Sequence, residues 1–350
     1  MGKVALFDEQ RMLFHGMNLM LLRFDRLKVD PRFCFRVLQS NKGRAHARRE
    51  AKSAINQASL GQAQILSLTL DLPPLPEQRR IAEILDTLDE AIRKTEQVIA
   101  KLQQMKQGLL HDLLTRGIDD NGELRDPERN PEQFKDSPLG RMPRGWALRH
   151  LGEIAVFITS GSRGWATFYS DTGPLFLRIG NLTRDHINLR LESVAHVRPP
   201  SGSEGQRTSV EEGDLLISIT ADLGIIGIVP SDLDEAYVNQ HVALIRLDQA
   251  CAHPRWIGHF LAGRAGQQQF ERLNDQGAKS GLNLPAVGRL RVALPATSEQ
   301  VSIAGILDDH DVRIRQERVN VEKLRTLKQG LMDDLLTGRV RVPVPEDAEA

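Results

Sequence analysis

The stretch Glu77-Gln78-Arg79-Arg80-Ile81-Ala82-Glu83-Ile84-Leu85-Asp86, running on to Lys106-Gln107-Gly108-Leu109-Leu110-His111-Asp112-Leu113-Leu114-Thr115, decides the fold because the chain contains it twice. Sliding residues 77–115 forward by 222 positions lays them on 299–337 with 20 identities in 39 residues and no gap. Glu299-Gln300, Ile306-Leu307-Asp308, Lys328-Gln329-Gly330-Leu331 and Asp334-Leu335-Leu336-Thr337 are the matching landmarks. A repeat of this length around a globular stretch implies two halves with rigid spacers.

In the first copy Ile81, Leu85, Leu88, Ile92, Thr95, Ile99, Leu102, Lys106, Leu109 and Leu113 recur at alternating steps of four and three. That is the heptad seam of a coiled coil. The second copy carries Ile303, Leu307, His310, Ile314, Glu317, Val321, Leu324, Lys328, Leu331 and Leu335 at the same places. Thirty-nine helical residues make a rod of roughly 58 Å. One such rod alone would leave its apolar stripe in water, so the two copies most simply bury each other. An ordinary bundle or an intermolecular coiled coil is the plainer alternative. Polar seam positions at Lys106 and Lys328, and at Thr95 and Glu317, fit a register-fixing role.

With 350 residues there is room for two or three domains. Two cysteines, Cys34 and Cys251, in no ligand-like spacing, argue for a reducing compartment. No signal peptide and no membrane-length apolar run is evident, so a cytoplasmic location is expected. Formal net charge is zero, but residues 1–60 hold 12 Lys/Arg against 5 Asp/Glu, including the basic run 42–49. Residues 145–295 hold 14 against 15, so any contact with a polyanion there would use local patches rather than a global field.

Residues 118–138 are polar, contain Pro127, Pro131 and Pro138, and read as a linker. From Trp146 to about Pro295 short strands are expected at 154–159, 175–179, 214–220, 225–229 and 241–247, then a helix from Pro254 to about Asn274. The mixture reads as a compact α+β domain. At an offset of 223, Leu21-Leu22-Arg23-Phe24-Asp25 lies on Leu244-Ile245-Arg246-Leu247-Asp248, and Pro31-Arg32-Phe33 on Pro254-Arg255-Trp256. Residues 1–75 thus look like the back part of the same domain, and about 85 residues matching 139–223 have no counterpart.

At this point the chain resembles the specificity subunit of type I restriction–modification systems. The carrying residues are 75–86 and 106–117, with Phe134-Lys135-Asp136-Ser137-Pro138-Leu139-Gly140 and Pro143-Arg144-Gly145-Trp146 opening a second recognition domain. The resemblance implies α+β target-recognition domains joined by two long conserved helices packed as an antiparallel coiled coil. It divides the chain into a remnant of a first, N-terminally truncated domain (1–75) and a first spacer helix (76–117). After the linker (118–138) come a second recognition domain (139–296), a second spacer helix (297–339) and a disordered tail (340–350). Such subunits do no chemistry themselves. Each recognition domain reads part of a split sequence on double-stranded DNA, and the helices dock the modification subunits. Restriction subunits join that complex. S-adenosylmethionine, ATP and magnesium belong to those partners, and none is expected on this chain.

Candidate DNA contacts follow from residue type and position. Ser162, Arg163 and Trp165 lie in a glycine-bearing loop after a strand, where arginine suits guanine edges or phosphates; a plain turn with Trp165 in the core is the alternative. Arg178 and Asn181 end a strand, as contacts or as a cap. Lys279, Ser280 and Asn283 sit in the segment Gly277-Ala278-Lys279-Ser280-Gly281-Leu282-Asn283, which lacks phosphate-loop spacing and so excludes ATP binding there. Gln240 offers an amide suited to adenine, although a satisfied core hydrogen bond competes. The basic run 42–49 is expected on a helix matching 263–269, tracking phosphate or simply solvated. No His or Cys cluster has metal spacing, and no catalytic constellation is present in the sequence. The alternative to a DNA reader is a coiled-coil scaffold that does not read DNA. Self-association, restoring two readers, is a further expectation.

Overall fold

A computed structural model of the chain describes residues 3–7, 12–54, 57–161, 163–200, 202–275 and 281–344. The elements begin with α1 (Pro31–Gln39), α2 (Asn41–Arg49), β1 (Lys52–Ala54), β2 (Gln57–Ser59), α3 (Gln62–Leu66) and α4 (Leu75–Thr115). Strands β3 (Phe134–Lys135), β4 (Met142–Pro143), β5 (Ala147–His150), β6 (Ala155–Ser160), β7 (Tyr169–Leu177) and β8 (Ala195–Val197) follow. Next come α5 (Ser203–Thr208), β9 (Leu215–Ser218), β10 (Ile226–Ile228), β11 (Ala236–Val238) and β12 (Val242–Leu247). The chain closes with α6 (Pro254–Ala262), α7 (Arg264–Asp275), α8 (Leu284–Gly288), β13 (Arg291–Leu294) and α9 (Thr297–Leu335). Two compact units are present, Met1–Lys101 with Ile314–Ala350, and Leu102–Arg313. Among the described residues no helix is long and apolar enough to cross a membrane.

In the first unit Asp30 caps α1 by accepting from Arg32 N (2.8 Å) and Phe33 N (3.3 Å), with Pro31 pre-setting the first turn. Ser40 ends α1 and caps α2 through Gly43 N. Position 43 admits no side chain, because a Cβ there would lie 2.5 Å from Val37 O and 2.6 Å from Leu38 O. Phe33 and Val37 of α1 pack on Ile81 and Leu85 of α4, on Met332 and Leu335 at the end of α9 and on Leu336 just beyond it. The two long helices run antiparallel here, with Lys328 Nζ on Asp89 (2.5 Å) and Arg325 on Glu96 (2.7 Å). Arg341 and Val342, assigned from sequence to a disordered tail, instead donate to the buried Glu77 carboxylate. Residues 345–350 of that tail lie outside the described residues.

The second unit is built on a four-stranded sheet in the order β10-β9-β12-β6, all neighbours antiparallel. Both faces are covered, so Leu216 and Ile217, or Leu244 and Ile245, are equally buried although they alternate in direction. One face packs on Trp256, Ile257, Phe260 and Leu261 of α6, and on Leu113, Leu114, Ile303 and Leu307 of the long helices. The other meets Leu177, Ala236 and Val238 from a second sheet, β11-β7-β8, in which β11 and β7 are parallel. Trp146 meets Trp256 edge-on at 5.3 Å, and Trp256 Nε1 donates to Ala293 O. The single helix expected over 254–274 is two helices, α6 and α7. The chain turns extended at Gly263 (φ −73°, ψ 171°), and a Cβ on Gly266 would strike the Leu261 backbone at 2.3 Å. The segment 118–138 is folded against the unit, through a bridge between Ile118 and Leu124 and the pair β3–β4.

Candidate nucleic-acid interface

Backbone hydrogen bonds draw five separate segments of the second unit to one end of its sheets. Gly161 N, leaving β6, donates to Asn239 O, and Asn239 N donates to Leu177 O at the end of β7. Ile219 N, beyond β9, donates to His241 O, and Leu282 N donates to Ile219 O. The approach at Gly161 is close enough that a Cβ would sit 2.3 Å from Val238 O. Side chains continue the convergence. Gln240 Nε2 donates to His241 Nε2 at 2.9 Å, so His241 Nδ1 carries its proton toward Thr220 Oγ1 at 2.8 Å. Ala221, at the tip of the 219–224 turn, has φ 57°, a conformation that side chains rarely adopt.

The sequence candidates fall unevenly on this end. Arg178 is half-buried just after β7, its backbone N held by Asn181 Oδ1 at 3.0 Å, and among the described residues no carboxylate pairs with it. Gln240 is half-buried and heads the chain of hydrogen bonds just described. Asn283 is exposed, but its Oδ1 caps α8 by accepting from Ala286 N, leaving the amide NH2 for any other partner. Asn181 is a correction: it is 1% exposed and spends its Nδ2 on Arg190 O and Ser193 O. Trp165 is another, at 1% exposed, stacked on Phe176 at 5.4 Å with Tyr237 and Phe168 around it. Both positions serve folding because their polar or aromatic groups are already satisfied inside. Arg163 opens a 3-10 turn, while Ser162, Lys279 and Ser280 lie outside the described residues. The basic run 42–49 forms α2, with His46 buried and bonded to Gln64 O.

Ile81, Leu85, Leu113, Ile303, Leu307, Ile314 and Leu335 are buried, and Ile92, Leu102, Leu109, Leu324 and Leu331 half-buried. Off-seam Val98, Met105, Val319 and Leu327 are 43–55% exposed. Each unit also holds a charge junction where its helical hairpin meets the long helices. In the first, Arg36 bridges Asp86 and Asp89, Arg32 adds to Asp86, and Lys328 adds to Asp89. In the second, Arg255 and His259 hold Asp308, and Lys106 holds Asp311 while also donating to Asp185 O. The hairpin residues correspond at an offset of 223 and the long-helix residues at 222, with His259 standing where Arg36 stands. Burial would raise the Asp308 pKa, but hydrogen bonds from His259 and Arg255 outweigh it and hold the value at about 2. His259 is pushed below its ordinary value by burial, so it is neutral near pH 7.

His259, Asp308 and Asp311 lie close enough to share a metal ion. Two fixed cations, Arg255 and Lys106, already neutralise the two carboxylates, so a divalent ion would add uncompensated buried charge. Sequence reasoning missed these junctions, although the offset that aligns Pro31 with Pro254 also places Arg36 on His259. It also missed Arg207, which donates to Thr159 Oγ1 and Ser160 O, both at 2.7 Å, at the end of β6.

A sequence model of the type I restriction modification DNA specificity domain matches residues 1–104 and 203–323, well over half of the chain. A Methanocaldococcus jannaschii protein named as the MjaX specificity subunit of a type I restriction enzyme is 28% identical over 343 residues, covering 97% of this chain and 76% of that protein. The MjaVIII specificity subunit of the same organism is 25% identical over 280 residues, and the match covers 79% of this chain but only 63% of that protein. Among solved structures, the S subunit of a type I restriction-modification system from M. genitalium aligns over 89% of this chain and 74% of its own, with TM-score 0.56 and 15% identity. That likeness bears out the α+β fold with long paired helices. The chain belongs to the type I restriction–modification DNA specificity family.

Proposed function

We propose that the chain is the non-catalytic sequence-reading subunit of a type I restriction–modification complex, and that the loop end of its second unit reads part of a split double-stranded DNA target. The convergence of the Gly161, Arg178, Thr220, Gln240 and Asn283 segments at one end carries this reading. It gathers an arginine with no carboxylate partner among the described residues and two amides, which are groups that recognise base edges and phosphates. In the first unit the faces of α4 and α9 that leave Val98, Val319 and Leu327 exposed are the surface offered to modification subunits. Methyl transfer with S-adenosylmethionine and ATP-driven cleavage then belong to the partner subunits, in the cytoplasm.

The test is a gel-shift and methylation assay of the chain with its modification subunit on random-sequence duplexes. A sequence-dependent shift that Arg178→Ala or Gln240→Ala weakens at least tenfold, with thermal unfolding unchanged, supports the reading. Complex formation without any sequence-dependent shift sinks it in favour of a scaffold that does not read DNA.

A further inference from the structure

Asn239, Gln240 and His241 carry the chain from β11 of one sheet to β12 of the other. This short connection is tied down on both sides. Asn239 N donates to Leu177 O at 3.0 Å, Asn239 O accepts from Gly161 N at 3.2 Å, and Asn239 Oδ1 accepts from His241 N at 3.1 Å. Gly161 lies so close to the same peptide that a Cβ there would sit 2.7 Å from Gln240 N. The backbone that bears Gln240 therefore has little freedom.

The side chain is oriented as well. Gln240 Nε2 spends one N–H on His241 Nε2 at 2.9 Å, and the other ring nitrogen of His241 meets Thr220 Oγ1 at 2.8 Å. Thr220 stands on a turn that is fixed independently. Ser218 Oγ donates to Asp222 O and accepts from Ile225 N, while Arg184 donates to Asp222 Oδ1 and Leu223 O. Gln240 Oε1 accepts no hydrogen bond among the described residues and is not sealed from solvent. An amide placed in this way presents one donor and one acceptor side by side. Adenine offers the complement in the major groove, with the N7 acceptor beside the N6 amino donor. Guanine sets two acceptors there, which leaves the amide oxygen facing another oxygen, and thymine and cytosine each offer a single hydrogen-bonding group.

We propose that Gln240 reads one adenine of the target through the major groove, and that His241 and Thr220 are positioning residues that hold its amide in the reading orientation. This rests on the loop end of the second unit being the DNA-reading surface, and adds to that reading the base and the groups that orient its reader. One ring tautomer serves both neighbours, since His241 accepts on Nε2 and donates from Nδ1. Without the Thr220 oxygen the ring is free to turn over or change tautomer. The Gln240 amide then has conformational freedom to lose before it engages a base edge, and discrimination falls.

The experiment uses the full chain in complex with its modification subunit. A preferred site is selected from random-sequence duplexes, and each adenine in it is replaced in turn by 7-deazaadenine, which removes N7 and leaves base pairing intact. The expected result is an adenine at which replacement weakens binding about tenfold for the parent chain and no further for Gln240→Ala. Thr220→Val should lose most of that discrimination with thermal unfolding unchanged, and Thr220→Ser, which keeps the oxygen, should retain it. A hydroxyl with a structural role alone shifts unfolding without shifting the preference at one base pair. Three outcomes overturn the proposal: no adenine whose replacement weakens binding, losses from replacement and from Gln240→Ala that add at every adenine, or a Gln240→Ala variant that relaxes a G·C position instead. The replacement series needs only the parent protein, so the first of these is decisive even where a variant fails to fold. A parent complex that selects no site sinks the proposed function and this inference with it, whereas a selected site that Gln240→Ala leaves unaltered sinks this inference alone.

Discussion

Lys106 is 6% exposed and Asp311 5%, and one oxygen of Asp311 has no hydrogen-bond partner among the described residues. The pair is buried, so removing one charge strands the other in a medium that solvates it poorly. Lys106→Met is expected to destabilise the chain by about 3–5 kcal/mol, whereas Lys106→Met with Asp311→Leu comes close to neutral. The equivalent Lys328–Asp89 pair has side chains 21% and 39% exposed, and Lys328→Met should cost no more than about 1 kcal/mol. Urea unfolding of the four proteins checks this, and equal losses at both lysines would refute the role given to burial. Acid acts on the same junction in two steps. His259 is held below its ordinary 6.5 by burial, so below that pH the unfolded chain takes up a proton that the folded chain refuses, and stability falls. Asp308 is held at about 2 against 3.8, so its contribution of about 2 kcal/mol is complete above pH 3.8 and disappears as pH drops toward 2. His259→Gln should remove the first decline and leave the second, as read from urea midpoints between pH 7 and 3.

At the scale of elements, the two helical hairpins α1–α2 and α6–α7 turn by the same device. Gly43 and Gly266 each sit where the second helix passes against the backbone of the first, and neither has room for a methyl group. Gly43→Ala and Gly266→Ala are each expected to cost about 1–3 kcal/mol through forced backbone shifts, although alanine is the better helix former. Differential scanning calorimetry measures this, and a stabilised variant at either position would contradict the close packing. These elements differ in how far the sequence reveals them. The long helices are legible because their burial is set by spacing alone, with Ile81, Leu85, Ile303 and Leu307 at 0–1% exposed on the four-three seam. The strands at 215–218 and 242–247 are legible as β-branched and leucine-rich runs between glycines and polar turns. Pairing of β7 with β11 joins residues some sixty positions apart, and no local pattern announces it. For the same reason the sequence leaves contact and structural roles open at Trp165 and Asn181. A loop tryptophan or asparagine looks alike in sequence whether it meets DNA or, as here, Phe176 and the carbonyls of Arg190 and Ser193.

For the whole molecule, 46 basic and 46 acidic residues leave no net field to hold DNA, and affinity must come from local contacts. On the proposed reading, Arg178 serves base recognition rather than general attraction. Its backbone is fixed by Asn181 and its side chain is half-buried, so little conformational freedom remains to be lost when it engages a base edge. Arg178→Ala is therefore expected to lower discrimination at one base pair by about 1–3 kcal/mol while leaving the salt dependence of binding unchanged. An arginine that only neutralises a phosphate behaves differently. It weakens all sequences alike when removed, and the slope of log K against log salt shrinks by about 1. Titrating the complex with its modification subunit on the preferred duplex and on single-base variants, at several salt concentrations, separates the two. If neither discrimination nor slope changes, Arg178 does not touch the DNA, and the reading surface has to be sought away from this end of the sheets.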